Sequence, residues 1–83
     1  MARVRLEFTV EPFVDGTLGP HVRAAIDAVE ARGLAVDVGP FSTSADGAGP
    51  DAANAVHDLL AAAFDEGATR VSVQVSRLED DGE

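Results

Sequence analysis

The stretch RVRLEFTV, residues 3–10, alternates strictly between polar and apolar side chains. A period of two puts alternate side chains on opposite faces of an extended segment. The apolar face carries Val4, Leu6, Phe8 and Val10. The polar face carries Arg3, Arg5, Glu7 and Thr9. This pattern predicts a first β-strand with one buried and one exposed side.

Two later segments repeat apolar residues at helical spacing. The first stripe is Val22, Ala25, Ile26 and Val29. The second is Val56, Leu59, Leu60, Ala63 and Phe64. Gly33 and Gly67 follow the stripes and provide left-handed helix ends. We therefore predict one helix starting at Pro20 and a second with Asp51 in its first turn.

Three further strands are predicted between and after the helices. Residues 34–38 alternate, and Gly39-Pro40 ends that strand because proline lacks a backbone donor. Residues 41–44 form a short third strand, which Gly47, Gly49 and Pro50 are expected to break. Val71, Val73 and Val75 alternate with polar residues as the last strand.

The predicted order is βαββαβ. Each βαβ unit needs a right-handed crossover, which places both helices on the same face of the sheet. The fold class is therefore α+β, a ferredoxin-like four-stranded antiparallel sheet with two helices on one face. We expect a single domain over residues 3–77 and an acidic tail over 78–83.

The composition excludes several classes of protein. The 83 residues include no cysteine and no lysine, which excludes disulfides, thiolate sites and the P-loop lysine. The longest apolar run has six residues, Leu59 to Phe64, far below the roughly 20 of a membrane helix. With no signal sequence, a cytoplasmic location and no membrane partner are expected. A net charge of −9 repels phosphate backbones, so no nucleic-acid partner is expected.

The sequence contains little that favours catalysis. His21 and His57 each border an apolar stripe, and neither has a carboxylate or second histidine at metal-ligand spacing. Packing or capping is the better interpretation of both, and no metal site is predicted. No serine stands in a nucleophile motif.

Several apolar residues lie where an ordinary loop would be polar. Phe13 and Leu18, with Val14, lie in the first long loop, and Phe41 precedes the hydroxyl run Ser42, Thr43 and Ser44. Together they could line a small pocket. They could equally cover the ends of the core or contact a second copy.

The exposed face of the predicted sheet is polar and carries no aromatic residue, whereas RNA-binding sheets of this topology need stacked aromatics there. Such a face suits a polar ligand or pairing with another sheet. Since 83 residues also make only a small core, we expect a homo-oligomer formed through the sheet.

Four segments, taken in order, resemble the YkoF-like family of thiamine- and hydroxymethylpyrimidine-binding proteins. They are EFTVEPF, the Gly33-Leu34 helix stop, VGPFSTS and GATRVSVQV. The family has an E-x-(S/T)-V-x-P first strand and a P-(M/F)-(G/S)-T-(T/S) segment at the second hairpin. The similarity runs from about Arg3 to Val75.

The resemblance implies a cytoplasmic, non-catalytic subunit that binds thiamine or its pyrimidine precursor, with no cofactor. Pro12, Pro40, Phe41, Ser42 and Thr43 match the family's motif positions. The expected ligand-binding residues are Glu11, Phe13, Phe41, Ser42, Thr43, Ser44 and Asp46. Aromatic rings and carboxylates would face the thiazolium cation, and Thr43 would bond the pyrimidine edge. The lack of lysine favours the unphosphorylated vitamin.

Two other functions remain open at this point. The chain could be a structural or regulatory oligomerisation module without a ligand. It could also be a small hydrolase of the acylphosphatase type, which shares the topology. That activity would need an arginine-bearing anion loop after the first strand, whereas EPFVDGTLG carries two acids and no arginine.

Overall fold

The computed structural model describes residues 2–13 and 18–78. Within them the chain forms four strands and two helices in the predicted order. The elements are β1 (Arg3–Glu11), α1 (Pro20–Ala31), β2 (Ala35–Val38), β3 (Thr43–Ala48), α2 (Gly49–Asp65) and β4 (Arg70–Arg77). Val14 and residues 79–83, which include most of the expected acidic tail, lie outside the described residues.

The four strands form one antiparallel sheet in the order β2-β3-β1-β4. Strand β1 is central and pairs with β3 on one side and β4 on the other. Helix α1 packs on β1 and β2, while α2 packs on β1, β3 and β4. The ferredoxin-like α+β fold is therefore confirmed. The helices cover one face of the sheet, and we call the other the open face.

The core lies between the helices and the covered face. From the sheet it takes the apolar side chains of β1 predicted by the alternation, of which Leu6 is fully buried. From the helices it takes Val29 and Leu59, which are also fully buried. Phe64, at the end of the second apolar stripe, is an exception because half of its surface is exposed.

Strand β3 differs from its prediction. It begins at Thr43, leaving Phe41 in the preceding turn, and it continues through Gly47 to Ala48. Gly47 is paired with Val4, and a Cβ at Gly47 would lie 2.8 Å from Cγ of Leu34. Glycine therefore does not end the strand here. It leaves space for the buried Leu34 side chain against the sheet.

Candidate ligand-binding site

A groove crosses the open face over the middle of the sheet. Its volume is about 210 Å³, and its lining comes from β1, from β4 and from the residue just before β3. The lining residues are Glu7, Phe8, Thr9, Ser42, Ser72, Val73 and Gln74. The groove is smaller than most small-molecule sites, which occupy roughly 300–1,000 Å³.

Strand pairing brings the polar lining together. Glu7 is the register partner of Gln74, and Thr9 is the partner of Ser72. Partners in an antiparallel pair have Cα atoms about 4.5–5.5 Å apart, so these side chains lie next to each other. Phe8 and Val73 alternate with them and point toward the helices, so they contribute backbone to the groove.

The predicted hydroxyl run divides between the two faces of the sheet. Ser42 lines the groove. Ser44 is paired with Glu7 on the open face, outside the groove lining. Thr43 is paired with Phe8 on the helix side and keeps only 6% of its surface exposed. The three residues therefore do not form one surface, and the ligand roles predicted for them stay predictions.

Asp46, which the resemblance predicts to face a cationic ligand, instead forms a salt bridge with Arg5. The Arg5 guanidinium donates two hydrogen bonds to its carboxylate, at 2.8 and 2.9 Å. These hydrogen bonds are the main reason why the pKa of Asp46 lies below its ordinary value, and the positive charge of Arg5 adds to the effect. Arg5 and Asp46 are register partners, so the pair fastens β1 to β3 on the open face.

The Arg5–Asp46 pair predicts a small pH-dependent contribution to stability. Because the folded-state pKa of Asp46 is lowered, the contribution is complete above the unfolded-state pKa of about 3.9 and is lost as pH falls through the folded-state pKa. We expect Arg5→Gln to lower the midpoint of urea unfolding at pH 6. The difference from the unaltered chain should shrink as pH falls below the unfolded-state pKa of Asp46, because the protonated carboxyl no longer pairs with Arg5. Arg23→Gln, an exposed change on α1, serves as the control, and a difference that persists at low pH would contradict the assignment.

The remaining predicted residues lie at one end of the sheet, where β1 ends and β3 begins. Glu11 is the register partner of Arg70, and their charged groups are 3.8 Å apart. Phe13 and Phe41 are largely exposed. Glu11 is next after Thr9 on the open face, but neither Glu11 nor the two phenylalanines are among the residues that line the groove.

The two histidines have different environments. His21 is buried, and its Nε2 donates to the backbone carbonyl of Pro12 at 2.6 Å. It ties the start of α1 to the end of β1, which confirms a packing role. His57 lies on the exposed side of α2, and its Nδ1 is 3.1 Å from the Asp58 carboxylate. The packing or capping role predicted for His57 is therefore wrong. Asp58 also accepts a hydrogen bond from Arg32, just after α1.

The described residues contain no cluster of three or more histidine, cysteine, aspartate or glutamate side chains suited to a metal ion. Neither described helix has the length and apolar character needed to cross a membrane.

Most of the groove residues belong to no motif that predicts a ligand role. The alternation predicts Glu7 and Thr9 only as the polar side of β1, and Ser72 and Gln74 only as the polar side of β4. The one sequence feature that points to a groove is the small size of the side chains at Thr9, Ser42 and Ser72. Small residues become a groove only when their strands are neighbours, and the order of the strands supplies that information.

The sequence of this chain matches the model of a known protein family. The model of the family described as thiamine-binding protein matches residues 6–80. The chain belongs to the thiamine-binding protein family. The match includes every groove residue, and it confirms the resemblance found in the sequence. No curated protein sequence matches the chain.

Solved structures similar to this thiamine-binding family member share its fold. A candidate thiamine biosynthesis/salvage protein from Thermotoga maritima is 26% identical, with a TM-score of 0.66 over 96% of this chain and 86% of the other. A hypothetical protein from Methanocaldococcus jannaschii is 18% identical, with a TM-score of 0.73 over 100% and 86%. A domain of unknown function from Bacillus cereus is 23% identical, with a TM-score of 0.68 over 98% and 79%.

Proposed function

We propose that this protein binds thiamine or hydroxymethylpyrimidine without catalysis, and that the open-face groove is the floor of the site. The observation that carries the proposal is a groove with five polar lining residues on the uncovered side of a sheet, in a chain of the thiamine-binding protein family. The lining suits the chemistry of an aminopyrimidine.

An aminopyrimidine presents ring nitrogens that accept hydrogen bonds and an exocyclic amine that donates them. The Gln74 amide can donate to a ring nitrogen and accept from the amine, and the adjacent Glu7 carboxylate can accept from the amine. The hydroxyls of Thr9, Ser42 and Ser72 add groups that donate or accept. Cross-strand pairing fixes the spacing of these groups on the sheet.

The groove chemistry favours binding over reaction. Its lining has three hydroxyls and one carboxylate, and neither histidine is among the lining residues. His21 is occupied by the Pro12 carbonyl, and His57 lies on α2. A hydroxyl nucleophile needs an adjacent base, and a carboxylate on an open surface is a weak one.

A second copy of the chain completes this site in our proposal. The groove is open and small, so one copy alone would leave much of a bound vitamin in water. The open face carries charge of both signs, with Arg3 near one end of β1 and Glu7 and Asp37 across its middle. Two such faces can pair so that opposite charges meet.

The adjacent residues Ser42 and Thr43 provide the test of the site. We expect Ser42→Ala to weaken thiamine binding about 5- to 150-fold, because a hydrogen bond to a buried ligand group is lost. Thr43→Val should leave affinity unchanged, because that side chain faces the helices. Isothermal titration calorimetry with thiamine and with hydroxymethylpyrimidine measures both.

The opposite result would place the ligand elsewhere. If Thr43→Val weakens binding and Ser42→Ala does not, Thr43 contacts the ligand as the family motif implies, and the site lies at the helix side of the β2–β3 turn. If neither compound binds the unaltered chain, the proposed function fails and an oligomerisation module without a ligand becomes the better interpretation. Melting temperatures of both variants control for loss of fold.

A further inference from the structure

The charges around the groove are unbalanced. Arg5 is engaged by both carboxylate oxygens of Asp46, and Arg70 faces Glu11. Among the described residues Glu7 forms no salt bridge, although it lines the groove. The groove lining therefore carries one carboxylate and no cationic side chain.

Arg3 is the remaining cation on the polar side of β1, and it lies far from the groove centre. It is four residues from Glu7, which is about 13 Å along a strand at roughly 3.3 Å per residue. At physiological ionic strength the Debye length is about 8 Å, so Arg3 does little to offset the Glu7 charge. The net charge of −9 on the whole chain attracts cations and repels anions, as the Glu7 carboxylate does.

We propose that Glu7 makes the groove selective for unphosphorylated thiamine over thiamine phosphate esters. This inference rests on the proposed function. The thiazolium ring is a permanent cation, which the Glu7 carboxylate attracts. A phosphate monoester adds about −1.5 to −2 charges near neutral pH, which the same carboxylate repels. Hydroxymethylpyrimidine is neutral, so Glu7 acts on it through hydrogen bonding alone.

The expected ratio between the dissociation constants of thiamine monophosphate and thiamine follows from Coulomb's law. Two unit charges a few ångströms apart at a protein surface interact strongly enough to change a dissociation constant by about tenfold or more. We therefore expect the unaltered chain to bind thiamine at least about tenfold more tightly than thiamine monophosphate.

The experiment is calorimetry with thiamine, thiamine monophosphate and hydroxymethylpyrimidine, on the full chain and two variants, in about 0.15 M salt. Glu7→Gln removes the groove charge and nearly keeps the shape. Asp27→Asn removes an equal charge from the exposed side of α1, away from the groove and from the open face. Glu7→Gln should bring the thiamine to thiamine monophosphate ratio within about threefold, while Asp27→Asn should preserve it.

Each outcome separates this inference from the proposed function. If thiamine binds but Glu7→Gln leaves the ratio unchanged, or the unaltered chain binds the ester equally well, the inference is overturned and the function stands. If none of the three compounds binds, both fail. If Glu7→Gln does not fold, the ratio in the unaltered chain is measured from about 0.02 to 0.5 M salt. It should shrink as screening increases, and a constant ratio would overturn the inference.

Discussion

Leu59→Ala is expected to lower the free energy of unfolding by about 2–5 kcal/mol. Leu59 is fully buried in the middle of α2 and belongs to the core shared with Leu6 and Val29. Truncation loses the transfer free energy of the removed atoms and leaves a cavity. A domain of this size has a total stability of roughly 4–12 kcal/mol at 0.05–0.15 kcal/mol per residue, so the variant is close to unfolding. Urea unfolding followed by circular dichroism measures the loss.

Phe64→Ala is the control on the same helix. It removes a larger side chain, but half of the Phe64 surface is already in water, so its cost should stay near 1 kcal/mol or less. Both variants must be compared at one protein concentration because self-association would add to stability. A loss for Phe64→Ala equal to that for Leu59→Ala would mean that a second copy covers the end of α2.

Ser44→Arg is expected to convert a dimer into a monomer. Ser44 lies at the middle of the open face, between Glu7 and Asp37 in the register. Facing sheets pack about 10 Å apart, which leaves no room for a long charged side chain at the centre of the contact. The two flanking acids should stabilise the arginine within its own chain, so the fold should persist.

Light scattering at about 10 µM protein tests this expectation. The unaltered chain should have twice its own 8.5 kDa mass or more, and Ser44→Arg should have the mass of one chain. Ala53→Arg, on the exposed surface of α2, should leave the mass unchanged. A single-chain mass for the unaltered protein would contradict assembly through the open face.

The local pattern predicted most of the fold. Alternation from Arg3 to Val10 gave the strand and its buried side, and the apolar stripes gave both helices. The length of β3 was not predictable in this way. Gly47 is normally a strand breaker, and only the approach of Leu34 from another part of the chain explains its place in the strand.

The candidate site was predicted less well for a related reason. The family resemblance implied ligand roles for Ser42, Thr43 and Ser44 together, as one continuous segment of the chain. In a strand, neighbours point to opposite faces, and pairing with β1 determines which face each one takes. The registers that place Ser44 beside Glu7 and Thr43 beside Phe8 depend on contacts between segments about 35 residues apart.

The order of the elements and the polar and apolar sides of each strand and helix can be read from the sequence, because they follow from periods of two and 3.6 within short segments. The position of the groove depends on contacts between distant segments. Glu7, Ser42 and Gln74 belong to three separate segments, and they meet because β1 lies between β3 and β4. Both described helices pack on one face of this sheet, so the groove lies on the face that they leave uncovered.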